Sequence, residues 1–169
     1  TVRMGKTNQT PLNRSGDDLR IEWGYLYLTA PKGEVHHFVC EQDKMAYIMG
    51  TVPVGKVCDS LILLAYDDCR ASIQYFGETL SSVWNQNGET IETAIECAYI
   101  EYGPIMDKCK AFSDKLYCDA TRAGGVQYAE MLSLAYRQAI SAHKCVVDTE
   151  GKILFISKEC FSNGCAATV

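Results

Sequence analysis

The residues best equipped for chemistry lie near the C-terminal end, in "SKECFSNGC" (Ser157 to Cys165), where a lysine, a glutamate, a serine, an asparagine and two thiols fall within nine positions. Glu159 is a candidate general acid or base. Lys158 beside it could hold that carboxylate ionised or orient the carboxylate of a substrate. Phe161-Ser162-Asn163-Gly164 reads as a turn with Asn-Gly at its tip, which makes Ser162 and Asn163 candidates for hydrogen bonding to a substrate, Asn163 also to a developing oxyanion. A surface loop with a solvated Lys-Glu pair explains the same residues with no chemistry at all. Cys160 or Cys165 as a thiol nucleophile would need a base, and no histidine stands near either in sequence.

Two further groups carry charge or ligand atoms. Arg137 interrupts the apolar stretch "MLSLAYRQAI"; a buried arginine has to be paired, so it implies a carboxylate or a ligand, and a structural ion pair meets that need as well. "HHFVC" places His36, His37 and Cys40 close together, but in a strand His36 and His37 point to opposite faces and cannot converge on one ion without a bend. No phosphate loop, His-Glu-x-x-His, nucleophile elbow or Cys-x-x-Cys is present. Neither a metal nor a cofactor is expected.

The elements that must position these residues divide into two textures near residue 86. Before it, "LRIEWGYLYL" (19–28), "EVHHFVC" (34–40), "SLILLAY" (60–66) and "ASIQYFG" (71–77) are short runs rich in β-branched and aromatic residues, bounded by turn formers, and read as strands. "PKGE" (31–34) supplies a turn that predicts a hairpin over 19–40, and "EQDKMAYIMG" (41–50) is expected as a short helical or extended connector. Beyond 86, apolar residues at 91, 95, 98, 102, 105, 109, 112 and 116 alternate steps of four and three, one stripe of a helix. Gly103-Pro104 predicts a kink or two helices in near register, and Ala123-Gly124-Gly125 an end. A second helix is expected from about Val126 to Cys145, apolar or small on nearly every side, with His143 and Lys144 favouring the negative end of its dipole. "VDTEGKILFIS" (147–157) reads as a turn at Glu150-Gly151 and a short strand.

Composition narrows the function classes. With 169 residues, 47% hydrophobic and 22% charged, the chain can bury a core. An excess of 21 acidic over 16 basic side chains, formal charge -5, works against a phosphate-tracking surface, so nucleic acid is a poor partner. No apolar run approaches the roughly 20 residues that span a bilayer, and the polar start lacks the apolar region of a signal peptide. Without an initiator methionine, the sequence is expected to be a piece of a larger protein. Its nine cysteines are scattered and odd in number, which argues against a disulfide framework; most lie in apolar runs, where a thiol is expected to behave as a small buried hydrophobe.

Three stretches, "RSGDDLRIEWGYLYLTAP" (14–31), "GGVQYAEMLSLAYRQAISAHK" (124–144) and "LFISKECFSNGCAATV" (154–169), resemble the bacterial and fungal glutaminase A family, and the resemblance is most specific in the last two. It implies an α+β chain. Residues 1–85 would be the C-terminal part of a β-rich, sandwich-like domain, and residues 86–169 the first helical hairpin and active-site-like loop of an (α/α)6 toroid. It also implies hydrolysis of L-glutamine to glutamate and ammonia, in the periplasm or outside the cell, by a parent longer than this chain. Where the family reads Lys-Glu-Asn-Phe-Ser-Asn-Gly, Cys160 replaces the first asparagine.

Two other readings stand beside it. Six-hairpin toroids also host glycoside hydrolysis, for which Trp23, Trp84, Tyr25 and Tyr27 could stack on sugar rings, although two carboxylates would have to face one cleft and Glu159 is the one evident candidate. In the third reading the β-rich half is a non-catalytic buttress and its aromatic strand is core. An apolar helix face left without its neighbours would be open to a homodimer of the fragment.

Overall fold

The computed structural model describes residues 1–11, 23–42, 45–55, 60–69, 73–141 and 143–157. The chain is mixed α and β, with most of its strands before residue 86 and one long interrupted helix after it. It divides into two compact units, one formed by residues 1–80 with 87–99 and the other by 81–86 with 100–169.

In the first unit, β1 (Val2–Gly5), β2 (Tyr25–Thr29) and β5 (Leu63–Asp67) form an antiparallel sheet with β2 in the centre, Tyr27 opposite Arg3 on one side and Ala65 on the other. A second sheet pairs β3 (Glu34–Cys40) with β4 (Met45–Thr51), and β4 lies against β1 and β2. Gly50 faces Leu28 there: a Cβ at Gly50 would stand 3.5 Å from Leu28 Cδ2, an ordinary contact. A tight hairpin, β6 (Gln74–Tyr75) and β7 (Glu78–Thr79), turns at Phe76-Gly77, both with positive φ. Among the described residues of this unit, Tyr27, Ala30, Ile73, Leu80, Ile91 and Ile95 are the buried apolar ones.

The hairpin expected over residues 19–40 does not form. The turn is there, with the Gly33 amide bonded to the Ala30 carbonyl at 3.1 Å. Both edges of β2 are already taken by β1 and β5, so β3 has no edge of β2 to join and pairs with β4 instead. The connector over 41–50 is accordingly extended from Met45, not helical. β1 arises from the polar start, where no apolar run announced a strand.

Helix α1 (Ile91–Ser141) begins at Thr90, whose hydroxyl accepts the Thr93 amide at 3.3 Å while Glu92 adds a negative charge to the first turn. Backbone angles stay helical through Gly103-Pro104 and depart at Gly125, with φ 83° and ψ 178°. Such a conformation is open almost solely to glycine, and it divides α1 into two arms. Phe112 of the first arm and Tyr136 of the second, placed symmetrically about Gly124, meet with ring centroids 5.1 Å apart. The two arms therefore run back along each other as a helical hairpin. Ala120 and Ala129, both buried, sit near the turn, where small side chains let the backbones approach.

The second arm ends at Ser141 rather than near Cys145, and residues 143–147 form β9 (His143–Val147). The reason is legible in "HKCVV": Val146 and Val147 suit a pleated strand, and both are buried there. β9 is the central strand of an antiparallel sheet with β8 (Ser81–Ser82) and β10 (Ile153–Ser157). Its hairpin to β10 turns through Gly151, with φ 82°. Asp148 organises the turn by accepting the amides of Glu150 at 2.9 Å and Lys152 at 2.8 Å.

Candidate functional site

β10 ends at Ser157, directly before the candidate residues Lys158 and Glu159 in sequence. Its last residue, Ser157, registers with His143 of β9, and the His143 ring stacks on Phe155 at 4.6 Å between centroids with planes 9° apart. His143 Nδ1 also pairs with the Ala139 carbonyl in the last turn of α1. One imidazole thus ties the helix end to the β9–β10 strand pair. Read from sequence, His143 and Lys144 belonged to the helix end as counter-charges to its dipole; they stand instead on β9. The sequence signal that would have found this is the β-branched pair that follows them.

Lys158, Glu159, Ser162 and Asn163 lie outside the described residues, as do Cys160 and Cys165. Arg137 is described. It is exposed rather than buried, so the requirement for a buried partner falls away. Its side chain lines a groove of about 950 Å³ between the two arms of α1, together with Lys108, Phe112, Glu130, Leu134 and Ile140. The groove has an apolar floor and four charged groups, two of each sign, since Asp114 also borders it. Asp114 is held by Lys110 Nζ at 2.6 Å, which raises the lysine's pKa through the hydrogen bond first and the charge second.

The other candidates are placed as follows. His36 and His37 occupy successive positions of β3, opposite Met49 and Ile48, and His36 Nε2 lies 3.3 Å from Glu34. Among the described residues no three potential ligands cluster for a metal ion. Tyr27 is buried and Arg3 lies over the Tyr25 ring, 4.6 Å from its centroid; of the four aromatics considered as sugar platforms, Trp23 and Trp84 are half-buried. Burial pushes the Tyr27 hydroxyl up, and its hydrogen bond with Arg3 opposes the shift.

The expectation that most cysteines are buried fails for the described ones. Cys97, Cys109, Cys118 and Cys145 are exposed, while Cys40 and Cys69 are half-buried. Three of the exposed four ride on the first arm of α1, whose apolar stripe is buried at Ile91 and Ile95 but open to solvent at Tyr102, Ile105 and Phe112. Cys69 differs in setting: burial first, then the charge of Asp67, push its thiol pKa up. It is therefore a poor nucleophile.

The most specific sequence resemblance and the family comparison converge on the same end of the chain. Residues 125–169 match the glutaminase A six helical-hairpin domain. No curated protein and no solved structure matches the chain. The matched stretch starts at the glycine that divides α1 and runs through the second arm, the β9–β10 hairpin and the residues of the candidate loop. The similarity is thus to one domain of that family and is confined to residues 125–169.

Proposed function

We propose that this chain is part of a glutaminase that hydrolyses the side-chain amide of L-glutamine to L-glutamate and ammonia. In this reading residues 1–85 close a β-rich domain. Residues 86–169 open an (α/α)6 toroid with one helical hairpin and an active-site loop, in a protein that works in the periplasm or outside the cell. The observation that carries it is the family match over 125–169, which contains Arg137 and the whole Lys158–Gly164 loop.

The loop's residue types suffice for the chemistry. Glu159 as general base takes a proton from water as the water oxygen bonds to the carboxamide carbon. Asn163 donates to the oxygen on which negative charge develops. The protonated Glu159 then passes its proton to the amide nitrogen, the C–N bond breaks, and the carboxylic acid that forms gives its proton to the departing ammonia, leaving glutamate and ammonium. Lys158 and Arg137 anchor the α-carboxylate of the substrate, and Ser162 adds a hydrogen bond.

The test is glutamate release from L-glutamine, measured on a chain that carries the rest of the six-hairpin domain. Glu159→Gln should lower kcat by about 10²–10⁴, the usual contribution of a positioned acid or base. Lys158→Ala should mainly raise KM. Turnover unchanged in both variants overturns the assignment of the loop, and sugar release from glycosides with no glutamate from glutamine replaces the reaction class.

A further inference from the structure

The last carbonyls of a helix have no partner within it, and at the end of α1 two side chains take up two of them. Ser141 Oγ donates to the Gln138 carbonyl at 2.9 Å. The His143 ring does the same for Ala139. A carbonyl can only accept, so Nδ1 carries the proton of that bond and the plane of the ring is set by it. Phe155 of β10 lies flat against the ring, 4.6 Å between centroids with planes 9° apart. His143 is held from two elements at once, in its plane by the helix end and across its face by β10.

These contacts stand between the residues to which the proposed reaction assigns the two ends of its substrate. Arg137 precedes Ala139 by two positions on the second arm of α1. Ser157, the last residue of β10, registers with His143, and Lys158 and Glu159 follow it in sequence. Arg137 is therefore the α-carboxylate anchor on the helix side of His143, and Glu159, which acts at the carboxamide, belongs to the strand side. The span between helix end and strand end has to match the length of the substrate. Asparagine carries the same groups with one methylene fewer, and a methylene is worth about 10–200-fold in discrimination. That discrimination requires a fixed span, since a misplacement of about 1 Å costs about 10²-fold in rate.

We infer that His143 is a positioning residue that sets this span, and with it a preference for glutamine over asparagine. It acts through the Ala139 carbonyl and the Phe155 ring and not by touching the substrate. The inference rests on the glutaminase reading, because that reading supplies the two ends. Removing the imidazole hands the half-buried Ala139 carbonyl to water, the ordinary partner of a helix end. The elements then persist while the tie between them loosens.

The experiment measures ammonia release from L-glutamine and from L-asparagine in the chain that carries the rest of the six-hairpin domain. His143→Ala, His143→Asn, Phe155→Ala and the double variant His143→Ala/Phe155→Ala are compared with the parent, and circular dichroism checks that each is folded. His143→Ala should lower kcat/KM for glutamine about 10²-fold and leave that for asparagine within about threefold, so that the preference narrows. His143→Asn, whose side-chain amide offers an N–H where Nδ1 stood, should recover most of the loss. Phe155→Ala, at a position 50% exposed, should narrow the preference in the same direction. The double variant should lose no more than His143→Ala alone, as two side chains acting as one unit behave. If His143→Ala does not fold, Phe155→Ala decides by the same ratio. A preference for glutamine that the variants leave unchanged overturns the inference while the parent's turnover upholds the reaction. So does an equal loss on both substrates, which a purely structural role would produce. No ammonia from glutamine in the parent overturns the reaction, and the assignment of His143 falls with it.

Discussion

The strand-rich first unit and the helical hairpin place similar apolar residues in opposite surroundings. In the first, Tyr27, Ile73 and Leu80 are buried among paired strands. In the second, Leu134, Met131 and Phe112 sit on regular helix yet face solvent. Hydrophobic periodicity records which face of an element has to be covered. It does not record whether the cover lies within the same stretch of chain. The same contrast explains Cys97, Cys109 and Cys118, which follow the exposure of the helix that carries them rather than the apolarity of their neighbours in sequence.

The largest expected difference between the two regions comes from equal truncations. Leu80→Ala removes a side chain that is 1% exposed and should cost about 2–5 kcal/mol, because transfer energy and a residual cavity add. Leu134→Ala, in a solution dilute enough to keep the chain monomeric, should stay within about 0.5 kcal/mol, the usual range for a surface change. Urea unfolding of the two variants beside the parent chain measures both. If they cost the same, either the hairpin buries more than its exposed face indicates or Leu80 is less well packed, and the contrast between the regions fails.

A second comparison lies inside the helix. Gly103 has helical angles and open space where a Cβ would stand, whereas Gly125 has φ 83°. Gly103→Ala should therefore raise stability by about 0.5–1 kcal/mol through helix propensity. Gly125→Ala should lower it by about 1–3 kcal/mol through strain at the turn between the arms. Opposite shifts in the urea midpoint are the expected result. A neutral Gly125→Ala would mean that the arms are joined by a conformation other than this one, and the groove between them would lose its basis.

How much of this was legible beforehand follows the same division. Local chemistry was readable: the Gly124-Gly125 break, the Glu150-Gly151 turn with its strand, and the strands within 19–28, 34–40 and 60–66 all have their signals in adjacent residues. Pairing was not, because the turn at Ala30–Gly33 has the right residues for a hairpin while the choice of partner depends on which edges of β2 are free. β1 was not, because "VRMG" has no alternation strong enough to stand out from a polar terminus; its place is fixed by β2. Gly103-Pro104 carries the signal for a kink or for two helices in near register, yet the angles there remain helical. Of the candidate site, Arg137 alone is placed. Its exposure could not be inferred from apolar neighbours, since they are exposed with it.

The smallest effect expected is electrostatic and confined to the first arm. Lys115 donates to Asp119 one turn on, and that hydrogen bond, with the lysine's charge second, holds the Asp119 carboxyl below the ordinary carboxylate range. A carboxyl depressed on folding contributes stability that is present above its unfolded pKa and is lost as pH falls through the lower, folded value. For Lys110, raised by Asp114, the sign reverses: its contribution is complete below the unfolded lysine pKa and is lost as pH rises through the folded one. Both pairs are exposed, so salt screens them and their contribution is slight. Helicity at 222 nm should be marginally lower in Asp119→Asn than in the parent chain at neutral pH and low salt. The difference should vanish below the depressed pKa of Asp119, and again in high salt at neutral pH. A difference that survives both conditions would show that Asp119 packs against something uncharged, and the first arm would then be less bare than its exposed stripe indicates.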